Sequence, residues 1–209
     1  MIKFIKILCL TFILSVTIFA QTNTDEYKKN EYYVGYSNQQ VDSGSYRTLN
    51  GFEGAYVRNV HRYFGIKADV SGAYRKDSYN IAFNDSINGT YSYTGKYRTS
   101  VYNFMVGAQI KDNTSKKRLK PFAHVLVGLN VNRYKNDPLI CTSGTCPSFI
   151  TNTRSFTFND KNFTGAIGGG LDIKINDRID FRAIQVDYNP IFTSGTQHNV
   201  RFGVGFVFK

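Results

Sequence analysis

Beyond its first twenty residues the chain has no apolar run approaching the roughly 20 residues that a membrane-spanning helix needs. If the remainder enters a membrane, strands must carry it. In lipid, only a closed barrel then satisfies every backbone donor and acceptor. Proline is scarce, four in 209 residues, so little interrupts a strand ladder. Cysteine is scarcer still, at three, and no cluster of histidine and cysteine offers the four ligands of a structural zinc site. Acidic residues number 15 against 26 basic ones. What the chain has in quantity is aromatic and small: 32 Tyr and Phe together and 18 Gly, a balance suited to many strands with aromatic girdles.

The opening segment Met1-Ile2-Lys3-Phe4-Ile5-Lys6, the apolar stretch Ile7 to Phe19 and the junction Ala20-Gln21 have the layout of a secretory signal peptide. It predicts residues 1–20 as a cleaved leader and 21–209 as one mature domain. Loss of Lys3 and Lys6 takes the formal charge from +11 to +9. In an exported chain, an excess of this sign points to anionic lipid head groups, lipopolysaccharide or surface glycans as partners, and away from nucleic acid. Cys9 leaves with the leader. Cys141 and Cys146, flanking Thr-Ser-Gly-Thr, then form a short disulfide that pins a loop.

The terminal segment Asn199 to Lys209 puts Val200, Phe202, Val204, Phe206 and Phe208 on one face. Asn199, Arg201, Gly203, Gly205 and Val207 make the other. Large apolar residues backed by small or polar ones fit a strand with lipid outside and a crowded polar interior. About eight segments show this alternation: 31–38, 49–59, 64–75, 97–111, 121–134, 162–175, 179–188 and the terminal one. In the seventh, the apolar positions switch parity between Ala183 and Ile184, which predicts a β-bulge there. The links alternate between long (39–48, 76–96, 135–161, 189–197) and shorter (60–63, 112–120, 176–178). This is the rhythm of outer loops and periplasmic turns, with both termini periplasmic.

Three stretches carry a family resemblance: Phe163-Thr164-Gly165-Ala166-Ile167-Gly168-Gly169-Gly170-Leu171-Asp172, Arg182 to Tyr188, and the terminal strand ending in Phe208. With these, the chain resembles the small outer-membrane β-barrels of OmpA- and OmpX-like type, over the whole mature length. The resemblance implies an all-β fold, an eight-stranded antiparallel up-and-down transmembrane barrel in the cell outer membrane. It also implies that Phe202, Val204, Phe206 and Phe208 form the signal read by the barrel-assembly machinery, although Lys209 makes the aromatic penultimate. Larger members add a periplasmic peptidoglycan-binding domain, and this chain resembles the barrel alone.

On the inferred inner face stand Glu53, Lys67, Asp69, His124, Asp172, Lys174, Arg182, Asp187 and Arg201. An eight-stranded barrel is just wide enough for side chains to fill, so a charge-paired plug is expected rather than an ion path. Some barrels of this size are lipid A acyltransferases or deacylases that use a rim histidine. Of His61, His124 and His198, only His198 lies near the outer rim, without an adjoining acid, so no enzymatic activity, cofactor or metal is expected. Gly168-Gly169-Gly170 lies in mid-strand with no helix after it, so close packing explains it better than a phosphate loop.

Function is therefore expected in the outer loops, as envelope structure or adhesion to an extracellular partner by a monomer. A small-solute pore and a soluble lipocalin-like carrier are the alternatives.

Overall fold

The computed structural model of the chain describes residues 27–42, 46–85 and 89–209. The predicted leader, with Cys9, lies outside the described residues. Eight long strands dominate: β1 (Asn30–Asp42), β2 (Tyr46–Asn59), β3 (Phe64–Asp85), β4 (Gly89–Lys111), β5 (Leu119–Asn136), β7 (Phe156–Lys174), β8 (Ile179–Tyr188) and β11 (Asn199–Phe208). The short β6 (Ile140–Ser143), the single-turn helix α1 (Ser148–Thr151) and the β9 (Ile191–Phe192) and β10 (Thr196–Gln197) hairpin decorate one end.

Each long strand pairs antiparallel with its neighbour among the eight, from β1–β2 round to β8–β11. The ring then closes through β1 and β11, with Tyr32 opposite Phe208 and Val41 opposite Asn199. Closure leaves no free edge in the ring, which is the condition for spanning lipid with strands.

Alternation sets which side chains enter this ring. Along β11, Asn199, Arg201, Gly203, Gly205 and Val207 are buried, whereas Phe202, Val204, Phe206 and Phe208 are exposed. Along β3, Lys67, Asp69, Ser71 and Ala73 are buried between exposed Ile66, Val70 and Tyr74. The polar groups are thus enclosed and the apolar ones bare, the reverse of a water-soluble protein. Aromatic pairs gird the outside in two tiers. Tyr32–Tyr56 and Phe181–Phe206 lie towards the short-turn end, and Phe52–Tyr74, Tyr74–Tyr102 and Phe163–Phe192 towards the other.

The parity break in β8 is a bulge. Gly203 faces Gln185 and Gly205 faces Arg182, so Ala183 and Ile184 together oppose the single residue Val204. The neighbour on the other side shows the same step, Leu171 opposite Ile184 and Asp172 opposite Arg182. The extra residue keeps Asp180, Arg182, Gln185 and Asp187 all inside.

The outer links depart from the sequence reading, and in the first of them residues 39–42 and 46–48 already belong to β1 and β2. Residues 76–96, expected as a polar loop, are mostly strand: β3 and β4 run for 22 and 23 residues, about twice the 9–11 a tilted spanning strand needs. Pairing of β2 with β3 ends at Asn50–Tyr74, but β3 and β4 stay paired to Asp85–Gly89. On the other side β4 stays paired with β5 to Tyr97–Asn136, opposite Asp77, so the hairpin stands eight residues, about 26 Å of strand, beyond the ring. β6 adds to its β4 edge at Ser92, Tyr93 and Thr94. The Cys141–Cys146 disulfide closes the turn after β6, with Cα atoms 6.0 Å apart, and Cys146 Sγ lies 3.5 Å from the Ser92 carbonyl oxygen. Likewise, the end of the 135–161 link is strand, since β7 begins at Phe156.

Candidate functional site: a filled interior and a basic outer mouth

Facing strands bring most of the inner-face charges together. At the centre, Arg201 Nη2 sits 2.6 Å from Asp187 Oδ2 and its Nη1 2.9 Å from Asp69 Oδ1, while Nη1 also donates to Ser71 Oγ at 3.0 Å. Lys67 Nζ lies 3.0 Å from Asp69 Oδ2 and 3.7 Å from Glu53 Oε1. His124 Nε2 is 2.9 Å from Asp187 Oδ1. The Gln185 amide bridges the acids, donating to Glu53 Oε1 at 2.7 Å and Asp187 Oδ2 at 2.8 Å.

Towards the short-turn end, Arg182 grips Asp172 with two bonds, Nε–Oδ1 at 2.8 Å and Nη2–Oδ2 at 3.2 Å. Its guanidinium is sandwiched by the Tyr33 and Phe122 rings, 4.4 and 3.9 Å from their centroids. Lys111 spans Glu31 at 2.5 Å and Asp172 at 3.3 Å. Below these, Asp180 receives Lys120 at 3.8 Å and the ammonium of Lys209.

Lys174 is the inner-face residue that the structure leaves apart. It pairs at 2.5 Å with Asp177 in the β7–β8 turn, with 30 % of its side chain exposed. The correction has a simple cause: parity gives a face but not a depth, and Lys174 is the last residue of β7. Glu31, Tyr33 and Lys111 were not singled out from the sequence. Parity was the signal for each of them, since Lys111 follows Asn103, Met105, Gly107 and Gln109 on the buried face of β4.

Six carboxylates (Glu31, Glu53, Asp69, Asp172, Asp180, Asp187) thus meet six cations (Lys67, Lys111, Lys120, Arg182, Arg201, Lys209). With His124 neutral the set balances, which is what a low-dielectric enclosure demands of buried charge. Towards the outer mouth an amide and hydroxyl layer follows: Asn130 donates to Asn103 Oδ1 at 2.7 Å and Asn103 to Ser71 Oγ at 3.2 Å. Val41, Leu49, Ala73 and Val101 then form an apolar cap.

Above the cap, the inner wall of the mouth becomes basic and aromatic. A cup of about 170 Å³ is lined by Val41, Arg47, Leu49, Arg75, Thr99 and Tyr134. Arg47 Nη1 donates to the Tyr97 hydroxyl at 3.3 Å. Arg75 is held by two bonds from Nε to Asp77, at 2.7 and 2.8 Å, and by Thr48 O at 3.3 Å. His198, the rim histidine, has Nδ1 2.5 Å from the Tyr188 hydroxyl.

A closed antiparallel ring of eight strands, apolar outside and charge-paired inside, defines an outer-membrane β-barrel. The chain belongs to the family described as outer membrane protein beta-barrel domain, matched over residues 9–208. Among solved structures it is similar to the attachment invasion locus protein Ail of Yersinia pestis, crystallised with the heparin analogue sucrose octasulfate. Identity there is 15 %, TM-score 0.53, and coverage 87 % of this chain and 100 % of that one. It is also similar to neisserial surface protein A, at 10 % identity and TM-score 0.50, over 87 % and 97 % of the two chains. At these identities the likeness is one of fold. No curated protein matches the sequence.

The protein is therefore placed in the outer membrane, where barrels of this kind turn their short connections to the periplasm. The hairpin, β6, α1 and the basic cup stand at the cell surface.

Proposed function

We propose that this barrel is a surface-attachment protein without catalytic activity, whose interior is a structural plug and whose outer mouth engages an anionic glycan. The observation that carries this is the cup itself. Two arginines and Tyr134 surround an apolar floor of Val41 and Leu49, a setting where a sulfate or carboxylate meets guanidinium donors and a sugar ring meets apolar surface and aromatics. The Ail structure with a heparin analogue is consistent with this chemistry on a barrel of the same fold. Fixed β-structure on the disulfide-clamped side of the mouth presents the cup at little ordering cost.

Binding to immobilised heparin tests the proposal. The folded barrel is expected to bind at low ionic strength and elute with salt, and Arg47→Gln/Arg75→Gln is expected to weaken retention sharply. Absence of binding at low salt would end this reading. The plug is tested separately in planar bilayers, where a stable open conductance level would replace it with a pore.

A further inference from the structure

Outside the barrel, just above the upper aromatic tier, the strand register places cations side by side. Lys76 of β3 is the direct partner of Arg98 of β4, and Arg98 is in turn the partner of Lys135 of β5. One rung nearer the membrane, Arg133 stands opposite Ser100, and on the next rung Lys161 of β7 stands opposite Val131. All five share the outward parity of Tyr74, Tyr102 and Phe163, so they rim the lipid-facing surface and not the mouth.

Directly opposed like charges on neighbouring strands repel, their Cβ atoms being about 5 Å apart. Lys135 is partly relieved by Asp137 at 3.8 Å, and the ion pairs formed among the described residues leave Lys76 and Arg98 with no carboxylate. An open cleft of about 490 Å³ lies here, lined by Tyr74, Arg75, Lys76 and Arg98. Its depth is set by the edge-to-face pair Tyr74–Tyr102, with centroids 5.6 Å apart, which belongs at the boundary between apolar core and head groups. Lys76 lies two residues beyond Tyr74 along its strand and Arg98 four beyond Tyr102, at the level of the head groups themselves. Three strands at their usual spacing hold these cations across about 10 Å, the scale of a disaccharide head group.

We propose that Lys76, Arg98 and Lys135, flanked by Arg133 and Lys161, bind the phosphates of a phosphorylated glycolipid of the outer leaflet. The occupant is a lipid rather than a soluble polyanion, because the row sits on the outward face directly above the girdle, where acyl chains lie against Tyr102, Phe104 and Phe163. The bound lipid neutralises the opposed cations and fixes this side of the barrel, from which the hairpin rises, in the leaflet.

The test uses the full folded barrel in detergent, titrated with lipid A carrying both phosphates and with its dephosphorylated form, and read by native mass spectrometry. The wild-type protein is expected to prefer the diphosphorylated lipid by about tenfold or more, as charge-assisted contacts imply. Lys76→Gln/Arg98→Gln/Lys135→Gln is expected to lose that preference, while the exposed substitutions leave the heat-modifiable gel shift of the folded barrel unchanged. Equal affinity of the wild-type protein for both lipids, or a preference that survives in the triple variant, would overturn the proposal. Displacement of the diphosphorylated lipid by heparin would reassign the row to a soluble polyanion. Arg47→Gln, which lines the cup and not the cleft, is expected to bind the lipid as the wild-type protein does, which separates this site from the glycan cup.

Discussion

Arg201 and Asp187 face each other directly across the β11–β8 ladder, their side chains 2.6 Å apart and both fully buried. The same guanidinium reaches Asp69 at 2.9 Å and Glu53 at 3.6 Å, so one cation holds three carboxylates on three other strands. Its removal leaves those acids with Lys67 as their one cation, beside His124 and the Gln185 amide. Arg201→Met is expected to cost about 3–5 kcal/mol, the scale for breaking a buried ion pair. Denaturant unfolding in detergent, followed by circular dichroism, measures it. A loss below about 1 kcal/mol would mean that water reaches the cluster and screens it.

The β8 bulge makes a sharper prediction about register. Deleting Ala183 leaves Arg182, Ile184 and Gln185 in sequence, so Arg182 and Gln185 both stay inside while the ladder becomes regular. This variant is expected to fold. Inserting one alanine after Phe181 instead shifts the parity of every residue on one side of the insertion, turning part of the set from Asp180 to Asp187 towards lipid. Folding into detergent micelles, scored by gel shift, should separate the two; equal behaviour would show that the strand tolerates register slip.

Faces and the bulge were legible in the sequence because lipid outside and paired charge inside mark alternate residues so differently, as with Phe202, Val204 and Phe206 against Arg201 and Gly203. The ten residues Lys76 to Asp85 were not legible as strand. Beyond the membrane both faces meet water, and Ser78, Tyr79, Asn80 and Ile81 are all exposed. The period-two contrast fades there although the hydrogen-bonded ladder continues. Cross-strand chemistry was hidden for a related reason. Parity says that Arg182 and Asp172 face inwards, but only the three-dimensional register makes them a bidentate pair.

The disulfide holds a turn against the hairpin, so its loss should act locally. Cys141→Ser/Cys146→Ser is expected to raise hydrogen exchange at Tyr93 and Thr94, where β6 pairs, and to open residues 137–155 to protease. Exchange in the ring, for instance at Val125 and Val127, should not change. A global rise in exchange would mean that the clamp supports the barrel itself.

Gly170 marks a close approach of strands: a Cβ there would lie 2.0 Å from the Ile184 carbonyl oxygen and 3.0 Å from the Gln185 Cα. Because the obstacle is backbone, rotamer changes cannot relieve it. Gly170→Val is expected to destabilise by at least about 1–3 kcal/mol, the range for overpacking, seen as a lower denaturant midpoint. Gly195→Ala, with nothing within 4 Å of the added carbon, serves as the neutral control.

In the periplasmic turn, Lys174 donates to Asp177 and holds its carboxyl below the usual aspartate range, with attraction between the charges as the second cause. A folded-state pKa below the unfolded one means that the contact is present above the ordinary aspartate pKa and is lost as pH falls through the folded value. Asp177 is open to solvent, so the effect belongs to the turn and not to global stability. Carboxyl titration by NMR should show a depressed midpoint that returns to the ordinary value in Lys174→Gln.

The terminal strand carries two separable roles. Phe202, Val204, Phe206 and Phe208 face outwards, and we assign to them recognition by the assembly machinery, while Lys209 turns its ammonium to buried Asp180 and donates its backbone N–H to Arg178 O at 2.9 Å. Phe208→Ser is therefore expected to slow insertion in cells, and Lys209→Gln to leave insertion intact while lowering the denaturant midpoint of the folded protein. The midpoint falls because Asp180 keeps only Lys120, 3.8 Å away, as its ionic partner. Normal insertion of Phe208→Ser would remove the aromatic from the signal, and an unchanged midpoint in Lys209→Gln would show that Lys120 alone neutralises Asp180.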